Sequence, residues 1–247
     1  MKILFISLGC DKNLADSEEM LGLLTGNGHE IVDSEEEADA IVINTCCFIH
    51  DAKEESVNTI LEMAEYKKTG PCKILIVTGC MAQRYKEEIT EEIPEVDAVL
   101  GTTSYGDIVK ALNEAEAGHV FQEFKDINAL PEDSGRRVIT TGGHFGYLKI
   151  AEGCDKHCTY CIIPSLRGKF RSVPEERLLK QAEYMASQGV RELILVAQET
   201  TVYGTDLYGK KTLHILLKKL CQIKGIRWIR VLYCYPEIGR ASCRERV

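Results

Sequence analysis

The chain of 247 residues contains no apolar run approaching the roughly 18 residues that a membrane helix needs. Its opening, Met1–Cys10, leaves too few residues between Lys2 and Asp11 for the core and flanks of a secretory leader. Low-complexity tracts are absent, which excludes a disordered or fibrous protein. Basic residues are the minority charge, 30 Lys and Arg against 38 Asp and Glu, for a net −8. Proteins that hold nucleic acid by neutralising phosphates usually carry the opposite balance, so RNA binding is not indicated by charge. A basic partner suits this charge, although solubility alone also accounts for it. No G-x-G-x-x-G follows the first apolar strand, so a nicotinamide cofactor is not indicated. Nor is there a paired-carboxylate or Ser/His/Asp constellation to explain. The expectation is a cytoplasmic protein, with no membrane, of a length that suits two domains.

What the chain does have is cysteine, eleven in all. Disulfides are disfavoured in a reducing compartment, so this count points to metal or redox chemistry, with buried packing as the alternative at each position. Three short β-branched runs, Lys2–Leu8, Asp39–Thr45 and Lys73–Thr78, each lead into a cysteine: Cys10, Cys46 and Cys80. A helical pattern follows each run, at Leu14–Thr25, Ala52–Tyr66 and Met81–Glu92, and a fourth unit, Ala98–Leu100 with Asp107–Ala115, lacks the cysteine. This alternation predicts an α/β fold whose amino-terminal part is an open parallel sheet with helices on both faces. Ligands of such sheets sit beyond the carboxyl ends of the strands, where all three cysteines fall. Strands lie about 4.8 Å apart, so three thiolates can converge on an iron–sulfur cluster or a zinc ion. The alternative is three unrelated buried cysteines. Cys47 and Cys72 are expected to be packing residues.

Residues 118–143 are polar and turn-rich and read as a linker, with short strands at Val120–Phe124 and Arg137–Thr140. A strand at Tyr147–Ala151 then runs into Cys154, Cys158 and Cys161 at C-x3-C-x2-C spacing. One loop can wrap three corners of a cubane this way and leave the fourth iron free to chelate a small molecule. Structural zinc would want a fourth protein ligand, for which His157 is awkwardly placed between two cysteines. Downstream, a helix from Pro174 to Gly189, a strand at Glu192–Ala197, a helix at Leu213–Gln222 and a strand at Arg227–Cys234 predict the first part of a partial, TIM-like α/β barrel. Gln198 and Glu199, at a strand's carboxyl end, are candidates for cofactor or substrate contacts, or else solvated loop residues.

The C-x3-C-x2-C spacing resembles the radical S-adenosylmethionine (SAM) superfamily, and Tyr160 resembles the aromatic position that packs near the adenine there; a plain core tyrosine is the alternative. More fully, SLGCDKNLADSE (Ser7–Glu18), NTCCFI (Asn44–Ile49), TGC (Thr78–Cys80) and AEGCDKHCTYCIIPSLRGKFRS (Ala151–Ser172) resemble the methylthiotransferases, over nearly all of residues 1–236. Cys47 departs from that pattern, which usually has glycine there. The chain reads LGCDKN, IPSLRG and AQETTVYGTDLYG, which resemble the RimO-type, protein-modifying branch rather than the tRNA-modifying one. The resemblance implies two 4Fe-4S clusters, one on Cys10, Cys46 and Cys80 and one on Cys154, Cys158 and Cys161, with Tyr160 near the adenine of SAM; Gln198, from its place at a strand end, is the other expected SAM contact. It further implies transfer of a methylthio group to an aspartate β-carbon of a small-subunit ribosomal protein, and a reductant such as flavodoxin or ferredoxin. A tRNA adenosine methylthiotransferase and a non-catalytic iron–sulfur electron carrier are the alternatives.

The implied layout is an amino-terminal domain at 1–117 with the auxiliary cluster, the linker at 118–143, and a truncated barrel at 144–237. The arginine-rich tail Ile238–Val247 has no apolar period and matches the translation of a sequencing adapter; it is read as an artefact, Cys243 included. On that reading the chain as it stands is expected to hold clusters without turnover.

Overall fold

The computed structural model describes residues 1–235; the readings made for Ile238–Val247 lie outside the described residues. The chain forms two compact units. The first is Met1–Val138 together with Lys156–Gly168, and the second is Ile139–Asp155 together with the described residues from Lys169 onward.

The first unit begins with β1 (Lys2–Ser7), α1 (Asp11–Gly26), β2 (Glu30–Val32), β3 (Ala40–Thr45) and α2 (His50–Thr69). It continues with β4 (Ile74–Gly79), α3 (Cys80–Arg84), α4 (Lys86–Glu92), β5 (Ala98–Leu100), α5 (Ile108–Glu116) and β6 (Phe121–Glu123). The six strands form one parallel sheet in the order β2-β1-β3-β4-β5-β6. Central β3 and β4 are buried along their whole length, as apolar runs covered on both faces must be. Side chains alternate between the faces. Ile41, Ile43, Leu75 and Val77 pack with Ile60 and Met63 of α2 and Met81 of α3. Val42 and Ile76 pack on the other side with Met20 and Leu24 of α1 and Leu112 of α5.

Three differences from the sequence reading have local causes. The helix expected over Met81–Glu92 is two helices, because Tyr85, at φ −120° and ψ 34°, interrupts the ladder and packs against the core. The short run Glu30–Val32 carries too little apolar pattern to be seen as a strand, yet pairs with β1 through Lys2↔Glu30 and Leu4↔Val32. The short strand read at Val120–Phe124 does form, as β6, which pairs with β5 and completes the sheet. Arg137–Thr140 forms no strand. Instead Arg137 is buried against α1, donating from Nε at 2.8 Å and Nη2 at 2.6 Å to Glu18 Oε2.

The second unit holds β7 (Phe145–Lys149), β8 (Ala151–Glu152), β9 (Arg171–Ser172), α7 (Glu175–Ser187), β10 (Glu192–Val196), α8 (Thr205–Tyr208), α9 (Leu213–Leu220) and β11 (Trp228–Val231). The remaining helix, α6 (Ile163–Arg167), falls in the first unit. Strands β7, β10 and β11 form a parallel sheet in the order β11-β10-β7, the successive neighbours of an α/β barrel wall. The strand expected over Tyr147–Ala151 breaks at Ile150, after which β8 pairs antiparallel with β9.

Candidate metal centre

Cys10, Cys46 and Cys80 follow β1, β3 and β4, three adjacent strands, on the sheet's carboxyl edge. Cys10 is the N-cap of the 16-residue α1, so the positive end of that helix lies beside its sulfur. Cys46 and Cys80 are buried and Cys10 is half-buried. The backbone around them is shaped by glycine. Gly9 has φ +91°, and a Cβ there would stand 2.7 Å from Cys46 Cβ. Gly79 has φ +94°, and its Cβ would stand 2.3 Å from Asn44 Oδ1.

A polar frame ties the three strand ends together. Asn13 Nδ2 donates to the carbonyls of Leu8 (3.2 Å) and Thr45 (2.9 Å). Asn44 Nδ2 donates to the Asn13 carbonyl and to Ser17 Oγ, both at 2.9 Å. The Cys46 N–H donates to Ser56 Oγ at 3.0 Å. Cys80 Sγ lies 3.8 Å from Asn13 Oδ1, which also accepts from Arg167 Nη2 at 2.6 Å. Burial pushes the Cys46 and Cys80 thiols up, and neighbouring cysteine charges add to this, while the Arg167 guanidinium pulls both back. A thiol gives up its proton to solvent when it ligates iron, and a nearby cation lowers the cost of the resulting thiolate charge.

Cys47 and Cys72 sit in the hydrophobic core, as expected of packing residues. Burial pushes the Cys47 thiol up to about 12, and its Sγ donates to the Cys80 carbonyl at 3.3 Å. Among the described residues, no group of three His, Cys, Asp or Glu side chains closes around a single metal ion. A cubane takes one thiolate per iron, so its ligands need not meet at one point. The three cysteines, the glycine-shaped cradle and the flanking cation fit such a cluster.

Of the second trio, Cys154 follows β8 in the second unit, whereas Cys158 and Cys161 belong to the first. All three are half-buried, and the Cys161 N–H donates to the Cys158 carbonyl at 3.0 Å, closing a turn. Tyr160 is 84% exposed, which removes the core-tyrosine alternative. Gln198, just past β10, is half-buried, and its Oε1 is buried with no hydrogen-bond partner among the described residues. Glu199 is buried and accepts from Thr201 Oγ1 at 2.9 Å, so it is not a solvated loop residue. Ahead of Cys154, Lys149 and Glu152 form a buried ion pair.

Residues 2–101 match the model of UPF0004, an uncharacterized protein family, and residues 148–239 match that of the radical SAM superfamily. A ribosomal protein uS12 methylthiotransferase RimO from Lachnoclostridium phytofermentans is 66% identical over 237 residues, which are 96% of this chain and 54% of that protein. Over nearly all of its length the chain is thus similar to RimO-type methylthiotransferases. The protein of the same name from Clostridioides difficile strain 630 is 52% identical, over 96% of this chain and 53% of its own length. The chain therefore spans about half the length of the curated relatives it matches. Among solved structures, the radical SAM methyltransferase TsrM from Kitasatospora setae aligns with a TM-score of 0.60 at 12% identity, over 99% of this chain and 58% of that one. The cobalamin-dependent radical enzyme OxsB aligns at 0.54 and 16%, over 99% of this chain and 41% of that one. These two likenesses establish the fold alone.

The sequence reading named the six cysteines as candidate ligands but not Asn13, Asp16 and Arg167, which frame the first trio. Asn13 and Asp16 lie inside the SLGCDKNLADSE motif and Arg167 inside IPSLRG. The signal was in the quoted motifs, yet nothing in their spacing assigned these three a place beside the thiols.

Proposed function

We propose that this chain carries the two cluster sites of a methylthiotransferase that adds a methylthio group to the β-carbon of an aspartate in a small-subunit ribosomal protein. The carrying observation is the convergence of Cys10, Cys46 and Cys80 on one sheet edge in a chain that also holds the C-x3-C-x2-C loop. When bound at Cys154, Cys158 and Cys161, a 4Fe-4S cluster with SAM supplies the radical that an unactivated C–H bond requires and that acid–base side chains cannot provide.

The chain's own groups do the holding and shielding. With three cysteines apiece, Cys10, Cys46 and Cys80 would hold one cluster and Cys154, Cys158 and Cys161 the other, and each trio would leave its cluster one position for a small molecule. Tyr160 offers an exposed ring for the adenine, and Gln198 Oε1 offers a buried acceptor for a polar hydrogen of SAM. Cys46 and Cys80 are buried, which would limit water at two of the three ligands. The net charge of −8 favours a basic ribosomal protein over tRNA. A flavodoxin or ferredoxin in the cytoplasm would supply the electrons; no described helix is long and apolar enough to cross a membrane.

The test is anaerobic reconstitution with iron and sulfide, followed by electron paramagnetic resonance (EPR) before and after SAM is added. Two clusters are expected, of which the Cys154/Cys158/Cys161 cluster changes its signal with SAM. Cys10→Ala, Cys46→Ala or Cys80→Ala should remove about half the iron and spare the SAM response, while Cys47→Ala and Cys72→Ala keep all of it. An electron carrier would show no SAM response, and a chain that takes up no iron would overturn the proposal. Within the family, assay of the full-length relative on ribosomal protein and on tRNA decides the substrate.

A further inference from the structure

The segment Lys156–Gly168 carries Cys158 and Cys161 yet packs as part of the first unit. Leu166 of α6 enters the core beside Met81 and Ala82, and Thr102 Oγ1 donates to its carbonyl at 2.8 Å. The next residue, Arg167, is 3% exposed. Its Nη1 donates to Asp16 Oδ2 at 2.8 Å and its Nη2 to Asn13 Oδ1 at 2.6 Å. Asn13 Oδ1 in turn lies 3.8 Å from Cys80 Sγ. A guanidinium is thus fixed at two of its nitrogens, at the corner where Cys80 leaves its strand.

Stability is a weak reason for this arrangement, since a buried ion pair seldom outperforms an apolar replacement. Its electrostatic effect is definite. A cluster held by three thiolates is net negative and becomes more so on reduction, and cluster potentials respond to local charge and to hydrogen bonding.

We infer that Arg167 is a positioning residue of the Cys10/Cys46/Cys80 centre, aimed by Asp16 and Asn13 as the fixed positive charge that stabilises the reduced state of a cluster bound there. The inference rests on the cluster-binding reading above. It also places the counter-charge of one centre on the segment that supplies two ligands of the other, because Arg167 lies six residues beyond Cys161.

The experiment uses the full chain with Cys154, Cys158 and Cys161 all changed to Ala, so that only the first centre loads. Its midpoint potential is read by redox titration with EPR, beside Arg167→Gln and Asp16→Asn in the same background. Arg167→Gln removes the cation and leaves Asp16, so the reduction equilibrium should fall at least tenfold, a shift of about 59 mV to more negative potential. Asp16→Asn removes the opposing anion, so the potential should move to more positive values. Opposite signs are the signature, because a merely loosened structure would not reverse direction between the two variants. If Arg167→Gln does not fold, judged by circular dichroism, the sign of the Asp16→Asn shift decides. Iron uptake with unshifted potentials, or shifts of one sign, overturns this inference alone; failure of the parent to take up iron overturns the cluster reading instead.

Discussion

Gly79→Ala tests the link between backbone geometry and the metal centre. Gly79 ends β4 at φ 94° and ψ −158°, a region that only glycine occupies without strain. Forcing alanine there costs about 1–3 kcal/mol in the backbone. The added methyl would stand 2.3 Å from Asn44 Oδ1, 2.5 Å from the Thr45 carbonyl oxygen and 2.8 Å from the Thr45 nitrogen. Two of these atoms are backbone of the neighbouring strand. The third is held by hydrogen bonds from its amide to the Asn13 carbonyl and Ser17. None can swing aside, and overpacking of this kind adds about 1–3 kcal/mol. The sum, about 2–6 kcal/mol, is a large share of the roughly 5–15 kcal/mol that keeps a domain folded. Gly28→Ala is the control, since Gly28 has φ +86° but nothing within 4 Å of its Cβ position. It should show only the left-handed backbone cost, about 1–2 kcal/mol. Urea denaturation of the apo chain, followed by circular dichroism, gives both numbers. Gly79→Ala should also fail to load iron at the first centre, because its relief displaces Cys80. A Gly79→Ala chain no less stable than Gly28→Ala would refute the reasoning.

Other perturbations report on separate parts of the fold. Arg137→Met removes both bonds to Glu18, whose side chain is fully buried, and should cost about 3–5 kcal/mol in denaturation; adding Glu18→Gln should recover part of that loss. Tyr203→Phe deletes the hydroxyl's hydrogen bond to the Val173 carbonyl at 2.9 Å and should cost about 1–2 kcal/mol near neutral pH. Burial raises the Tyr203 phenol above its ordinary value, so the folded state keeps a proton that the unfolded chain releases above about pH 10. That contribution is complete below about pH 10 and fades as pH rises toward the raised folded value; Tyr203→Phe should flatten the alkaline limb of a stability–pH profile.

The legible parts were those written in short-range pattern. β3 and β4 could be read as continuous β-branched runs because both faces of a central parallel strand are buried, and the cysteines at their ends inherit the edge where such sheets bind ligands. Glu30–Val32 is a three-residue edge strand with no pattern of its own, made a strand by the neighbour it pairs with, whereas the short strand read at Val120–Phe124 forms as Phe121–Glu123. Cys154, Cys158 and Cys161 were named as candidate ligands from spacing alone, since one loop carries them all.

Sequence by itself determined which thiols could ligate metal, which half of the chain holds each trio, and the parallel alternation of strand and helix. Those properties depend on neighbours within a few turns of chain, or on a repeat that announces itself. Tertiary structure alone decided what surrounds the ligands: Asn13 spanning two strand ends, and Arg167 reaching Asp16 from 151 positions away. Such partners are chosen by packing, because a charge buried in low dielectric must find its counter-charge wherever the fold brings one near.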